Sequence, residues 1–363
     1  MNQGIIPARY GFMKHRKMEK RKTCRTYGLL TLLFSIGCSA CSLQCKEEFL
    51  LEPDLSPPRL LEIYPTDSPQ VSILFDEPVK AQNETITLDS GDPALLTVKD
   101  EKTLTLVPQK SLIPGRQYKA SISVEDLGGN SCRFVLLFWG WNPRVPDLLI
   151  NEFNPEGSDS NPDCIELYAR SEGNTAGMCL YYGTRRFYEY RYVFPDLELN
   201  EGDYVIIHCR REFLTQEISE NMDMTASGGK LSSDEAWDLW FPEDSGLSGA
   251  NGILTLYNAP DGVLLDGVVY SDRDPDPEND YLGWTSRTFD AAADLYESGA
   301  WEFSNESISP KEAIPSHYTT ATRSLCRNST SFDSNSNADW HTVPTSSKSF
   351  GGVNTDEEFV PSS

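Results

Sequence analysis

Basic residues are scarce outside the first part of this chain. The 363 residues carry 31 Lys+Arg against 55 Asp+Glu, a formal charge of -24. Residues 1–37 alone hold eight of the basic side chains (Arg9, Lys14, Arg16, Lys17, Lys20, Arg21, Lys22 and Arg25) and one acid, Glu19. The remainder therefore has 23 basic and 54 acidic residues, a charge near -31. Phosphate backbones would repel such a surface, so no nucleic-acid partner is expected. An anionic lipid surface would also repel it unless a covalent anchor held it there. Long apolar runs are missing too. The stretch from Tyr27 to Cys38 holds about ten apolar residues, half of what a membrane-spanning helix needs. Histidine is rare, with four in the chain, and none sits in an HExxH pattern. There is no GxSxG nucleophile elbow, no phosphate-binding glycine loop and no CxxC pair of pairs. Aromatic residues, in contrast, make up 11% of the chain, more than a disordered polymer carries.

The basic segment, the short apolar run and small Gly37 are the parts of a secretory signal peptide. A cysteine follows directly, and the segment resembles the lipobox of bacterial lipoproteins. That resemblance implies lipidation at Cys38, with residues 1–37 removed as a leader. Ser35 stands where leucine is usual and Phe34 lies one place further back, a looser form found in spirochaetes. Cys41, after Ser39 and Ala40, is the second candidate, and Met13 or Met18 could be the true start. An ordinary cleaved signal is the plainer alternative. Removing the leader takes Cys24 with it. Lipidation of Cys38 then leaves seven cysteines, and lipidation of Cys41 leaves six outside the leader boundary that could pair fully. An exported location permits disulfides, and spacing alone does not give their connectivity.

Residues 38–57 read as a flexible tether, polar and punctuated by Pro53, Pro57 and the following Pro58. Residues 58–142 read as all β. Tyr118, Ala120, Ile122 and Val124 alternate with Lys119, Ser121, Ser123 and Glu125, the period of a strand with one buried face. Val71–Phe75 and Thr103–Pro108 are two further strands, separated by turn signals at 90–93, Pro114-Gly115 and Gly128-Gly129-Asn130. Phe75 with Pro78 and Val79, then Leu112, Pro114, Gly115 and Tyr118, then Asp126, Gly129 and Asn130 occur in order. This series resembles the bacterial Ig-like domain of the S-layer-protein type. The resemblance implies a β-sandwich used as a spacer or adhesive module, without an active site. Tyr118 is expected to bury its ring while its hydroxyl finds a partner, and Gly128 and Gly129 to supply positive φ.

Residues 146–355 read as a second β-rich unit, and 356–363 as a C-terminal tail. Cys164–Tyr168 reads as a short strand with Ile165 and Leu167 on one face, and 199–207 as a turn with a buried strand. Gly252–Tyr257, Asp261-Gly262 and Val263–Tyr270 read as a hairpin. Ile150-Asn151-Glu152, Ile165 to Tyr168, Leu199 with Gly202 and Tyr204, Leu254 to Gly262, Arg323, and Asp333 to Trp340 follow in order. That order resembles the lamin tail domain, which implies a second Ig-like sandwich. Two segments interrupt the family pattern. Residues 208–250 are long and polar, with Arg210, Arg211, Met222 and Met224. Residues 271–318 include Arg287 to Tyr296, where an alanine-rich stretch favours one short helix. Loops of this length are functional or mobile, so binding specificity is expected in them.

The fold expected is all-β, two Ig-like sandwiches in tandem, the second with long loop insertions. Candidate chemistry is sparse. His208, His317 and His341 read as surface or partly buried histidines. Glu152 and Glu166 could be the carboxylate pair of a glycoside hydrolase, a role that needs a cleft and a set spacing; otherwise they support a loop or face solvent. The acidic run Asp272 to Asp280 could supply oxygens to calcium, with Asp333 to Asn337 a weaker version, and a solvated loop is the alternative. Trp237 and Trp240, beside Asp238 and Phe241, could form an exposed platform for sugar or protein, or pack inside. Asn83, Asn305 and Asn328 begin glycosylation sequons that are incidental in a bacterial protein. No catalytic residue, metal or cofactor is assigned. The function expected is a non-catalytic binding or scaffolding module of the cell envelope. Its partners are the membrane, through the anchor, and an envelope or host protein or glycan. An envelope hydrolase and a calcium-stabilised surface adhesin are the alternatives.

Overall fold

The computed structural model describes residues 55–64, 68–242, 245–303 and 308–362. Cys38, Cys41, the leader and residues 38–54 of the tether lie outside the described residues. Among the described residues no helix is long and apolar enough to cross a membrane.

The first sandwich uses eight strands. They are β1 (Leu60–Tyr64), β2 (Val71–Phe75), β3 (Val79–Ala81), β4 (Thr85–Thr87), β5 (Pro93–Asp100), β6 (Thr103–Pro108), β7 (Gln117–Asp126) and β8 (Ser131–Trp139). One sheet has the order β1-β2-β6-β5-β4 and the other β3-β7-β8. The alternation read along β7 is the burial observed: Tyr118, Ala120, Ile122 and Val124 point inward, against Ile73, Phe75, Leu104 and Leu106 of the facing sheet. The Tyr118 ring is buried and its hydroxyl accepts a hydrogen bond from the Ile113 backbone N–H at 2.9 Å. In the β7–β8 turn Gly129 has positive φ (+91°) and Gly128 does not; the Asp126 carboxylate accepts from the Asn130 backbone and side-chain amide across the turn.

The second sandwich is larger. Its strands are β9 (Leu148–Asn154), β10 (Cys164–Ala169), β11 (Gly173–Asn174), β12 (Cys179–Gly183), β13 (Tyr188–Val193), β14 (Glu198–Leu199), β15 (Tyr204–His208), β16 (Trp237–Trp240), β17 (Asn251–Tyr257), β18 (Leu264–Ser271), β19 (Ile314–Pro315), β20 (Leu325–Arg327) and β21 (Trp340–Thr342). A six-stranded sheet, β16-β15-β10-β9-β20-β21, packs over a five-stranded one, β13-β12-β17-β18-β19. The expected hairpin is β17–β18, and the helix α1 runs Ser286–Ser298. Thr285 caps its start by accepting from the Thr288 N–H, and Gly299 ends it at φ 74°.

The two interruptions of the pattern are more than loops. The first contributes β16, which pairs in parallel with β15, and the second contributes α1 and β19, which pairs in parallel with β18. Parallel neighbours cannot be joined by a tight turn and need a long crossover, which accounts for the length of both segments. Strand β10 also departs from a half-buried pattern. Ile165 and Leu167 face the main core, but the opposite face is covered as well, so Cys164 and Glu166 are buried.

The cores of the two sandwiches are distinct, and the chain between them is held by polar contacts. The Asn142 side chain donates to the Asn174 and Ala176 carbonyls, and Arg144 makes a bidentate pair with Glu198. Gly115 of the first sandwich lies against Gly177 of the second so closely that a Cβ on Gly115 would stand 2.6 Å from the Gly177 nitrogen.

Candidate ligand-binding cleft

A cleft of about 530 Å³ opens where the end of the five-stranded sheet meets the first turn of α1. That volume lies in the usual range for small-ligand sites, about 300–1,000 Å³. Three parts of the chain build its walls. The β12–β13 hairpin supplies Tyr182, Phe187 and Glu189, the first long segment supplies Ser248 and Ala250, and the second supplies Arg273 and residues 285–288. Both long segments, 208–250 and 271–318, thus meet in one concavity.

Local sequence explains the shape. Gly183, at φ +117°, lets the chain turn so tightly that a Cβ there would sit 2.1 Å from the Phe187 carbonyl oxygen. Thr184 and Phe187 close this turn with reciprocal backbone hydrogen bonds, and the Phe187 ring is left 37% exposed. Gly252 leaves room for the Tyr182 ring, which a Cβ would meet at 2.6 Å. The Tyr182 hydroxyl accepts from the Ser248 N–H at 3.1 Å and donates to the Asn251 carbonyl at 3.3 Å, fixing the first segment to β17. Thr288 donates to the Asn251 side chain at 3.0 Å and fixes the helix to the same strand. Arg287 and Glu189 form an exposed ion pair at 3.6 Å, and Arg273 pairs with Asp272 at 3.3 Å.

The residues singled out from sequence lie elsewhere, and several differ from expectation. Glu152 and Glu166 do not face solvent. They are directly opposed on β9 and β10, both 0% exposed. A bulge at Asn151 sets this register: Glu152 opposes Glu166, whereas Ile150 opposes Leu167. Glu152 accepts from the Ser324 hydroxyl and from the backbone and hydroxyl of Ser349. Glu166 accepts from the Asn151 amide at 2.8 Å and the Gly351 N–H at 2.6 Å. Burial raises both carboxyl pKa values above the usual range, and for Glu166 the neighbouring Glu152 charge adds to it. The pair fastens the 349–354 segment onto the sheet and is closed off beneath it.

His208 is fully buried rather than at the surface. Its Nε2 lies 2.7 Å from Asp238 Oδ1, its Nδ1 3.6 Å from Cys164 Sγ, and its ring stacks on Trp240 at 3.9 Å. Trp240 is therefore interior, and Trp237 is half-buried with its N–H directed to Asp203, so the two do not form an exposed platform. Sequence reading missed this cluster because its members are cross-strand neighbours on β10, β15 and β16. His341 approaches Cys326 at 3.5 Å, and His317 packs on Tyr318. Arg210 and Arg211 are paired with Asp163 and Glu217. Arg323, the arginine of the lamin-tail resemblance, is not the buried one; Arg327 is. Arg327 is buried among Asp266, Asp333 and Asp339 with its guanidinium over Trp340, whereas Arg323 stacks on Phe359. In the Asp272 to Asp280 run, Asp276 accepts from the Glu278 N–H and Asn279 from the Tyr281 N–H, so these side chains close turns. Among the described residues no group of three or more His, Cys, Asp or Glu is placed to hold a metal ion. The five described cysteines, Cys132, Cys164, Cys179, Cys209 and Cys326, are free thiols.

Comparison with known proteins matches the two units separately. Residues 146–342 match the family model TP_1001_2nd, described as a protein second domain. Residues 54–138 match the Big_5 family, the bacterial Ig-like domain. No curated protein matches the chain. Solved structures similar to it include the N-terminal part of the bacterial S-layer protein SbsC, at 12% identity and TM-score 0.20, over 60% of this chain and 44% of that one. They also include an Escherichia coli alpha-2-macroglobulin fragment spanning domains MG0-NIE-MG1, at 10% identity and TM-score 0.20, over 61% of this chain and 73% of that one. A third is dimeric latent PorU from Porphyromonas gingivalis, at 13% identity and TM-score 0.19, over 60% of this chain and 19% of that one. The chain thus spans less than half of the SbsC fragment, and TM-scores this low fall short of a shared overall fold.

Proposed function

Since the chain belongs to the TP_1001_2nd family, matched over just over half its length, and carries a bacterial Ig-like domain before that region, we propose that it is a non-catalytic binding module of a bacterial cell envelope. The observation that carries this reading is the cleft at the α1 end of the second sandwich. It is concave, lined by exposed aromatic and polar side chains, and built from the two segments that depart from the lamin-tail pattern. In this reading residues 1–37 are a leader, Cys38 carries acyl chains, and 38–57 are a tether. The sandwiches of 58–142 and 146–355 form an arm that presents the cleft away from an outer-membrane or cell-surface anchor. The second sandwich is then a divergent lamin-tail-like domain.

The burial of Glu152 and Glu166 supports the non-catalytic reading over a hydrolase, because a glycosidase pair has to flank a substrate. The test is fractionation of cells expressing the full chain or its Cys38→Ser variant, with protease added to intact cells. Membrane association that the substitution abolishes, together with digestion in intact cells, supports a surface-held arm. Unchanged association in the variant would remove Cys38 as the anchor.

A further inference from the structure

The cleft is broad, mixed in character and balanced in charge, and these properties restrict what fits it. A strongly anionic ligand is disfavoured. Each guanidinium in the walls has a carboxylate beside it, Glu189 at Arg287 and Asp272 at Arg273, which offsets its charge. The chain as a whole, at -24, would repel a polyanion. A purely apolar ligand is disfavoured as well, because it would strip water from Glu189, Arg273 and Arg287 without replacing their hydrogen bonds. A neutral ligand with an apolar face and several hydroxyls satisfies both conditions.

The walls offer both halves of that recognition. Phe187 is 37% exposed on a hairpin tip whose backbone is held at Gly183 and Thr184, so its ring offers an apolar face to the cleft. A pyranose presents C–H groups on one face, and these pack on an aromatic ring with little entropy cost to a side chain of two torsions. Arg287 and Glu189 are planar, exposed and held against each other. A carboxylate accepts from two adjacent hydroxyls and a guanidinium donates to two adjacent oxygens, which matches the vicinal hydroxyls of a sugar. Their mutual separation of 3.6 Å is looser than a close hydrogen bond, so a hydroxyl can share both groups. We propose that this cleft binds a neutral oligosaccharide, its ring face on Phe187 and its hydroxyls on Glu189 and Arg287. This rests on the reading of the cleft as a binding site and adds the class of ligand.

The test uses the full-length protein, a panel of neutral oligosaccharides of gluco, galacto, manno and N-acetylated hexoses, and calorimetric titration of the best responders. An oligogalacturonate and a blocked tri-alanine peptide serve as charged and peptide probes. The expected result is saturable binding of at least one neutral oligosaccharide, at Kd values on the order of 0.1–1 mM, as suits a shallow polar site. Phe187→Ala should weaken it at least about tenfold and Phe187→Tyr should keep it, with unchanged melting temperatures showing that both variants fold. Arg287→Ala should weaken it similarly. Absence of saturable binding across the neutral panel overturns the proposal, and so does binding that neither alanine substitution affects. Binding of the peptide alone, sensitive to Phe187→Ala, overturns the sugar class but leaves the cleft as a binding site. Equal or tighter binding of the oligogalacturonate overturns the neutral assignment.

Discussion

Glu152 and Glu166 oppose each other across β9 and β10, both fully buried, and neither has a salt-bridge partner among the ion pairs of the described residues. Their hydrogen bonds come from Ser324, Ser349, Asn151 and Gly351, so the two carboxyls hold the C-terminal segment in place. Burial raises both pKa values; the Lys348 charge opposes this at Glu152, and the Glu152 charge adds to it at Glu166. Two adjacent buried carboxylates cannot both ionise cheaply, so burial and mutual repulsion favour the protonated form of the pair in the folded state.

Folded-state pKa values raised by burial mean that the folded protein binds more protons here than the unfolded chain does. This contribution is fully present below the unfolded carboxyl pKa and is lost as pH rises through the folded value. The melting temperature should therefore fall as pH rises above the ordinary carboxyl range toward the alkaline side. Glu166→Gln keeps an acceptor for the Gly351 N–H and cannot ionise. Its melting temperature should change less with pH and exceed that of the parent by about 2–4 °C per kcal/mol regained at pH 8. Calorimetry from pH 5 to 9 checks this, and a parent curve that rises with pH would refute it.

Arg327 is 0% exposed and lies within ion-pair distance of Asp266, Asp333 and Asp339. Burial raises the Asp266 pKa, and the arginine opposes that effect. Arg327→Ala strands three carboxylates in a dry site and removes the ring contact with Trp340. It should cost about 3–5 kcal/mol, read as a drop in the urea midpoint, whereas Arg323→Ala at the surface should cost far less.

Tyr118→Phe removes one hydroxyl and leaves the ring packing intact. The Ile113 N–H then loses its acceptor, so a loss of about 0.5–1.5 kcal/mol is expected by chemical denaturation. A neutral result would mean that water replaces the hydroxyl.

Gly115 and Gly177 pack backbone to backbone, with φ of +70° and +81°. Alanine at either position meets both a strained backbone and a clash, and should cost about 1–3 kcal/mol. Because this contact joins the two sandwiches, protease sensitivity of the 140–147 connection should rise in Gly177→Ala.

Cys164, Cys179, Cys209 and Cys326 are buried, and desolvation raises their thiol pKa values, Cys179 to about 12. Cys132 is partly exposed. Brief alkylation of the native protein should label Cys132 and spare these four, and labelling in denaturant should reach all five; mass spectrometry of the peptides decides it.

Local pattern accounts for the elements but not for the site. The alternation from Tyr118 to Val124, the Asp261-Gly262 turn and the alanines of 291–293 each encode their structure within a few residues, because strand, turn and helix preferences are set by near neighbours. The same is true of the Tyr118 hydroxyl, whose partner is five residues away. The cleft is different. Phe187 comes from the β12–β13 hairpin, Ser248 from the first long segment, and Arg273 and Arg287 from the second, and no spacing in the chain links them.

By itself, then, the sequence determined a strongly acidic, all-β chain and, through its resemblances, the expectation of Ig-like units. The acidity depends on composition and the strands on periodicity over a few residues, whereas the Ig-like units rest on the order of motifs along the chain. Only the tertiary structure decided that Glu152, Glu166 and His208 are interior, that Arg327 is a buried cation among three aspartates, and that the two long segments add edge strands and share one cleft. Those outcomes depend on cross-strand register and on which distant segment covers a sheet face. A shift of one residue in pairing would turn every side chain of a strand to the opposite face, and local sequence does not report that choice.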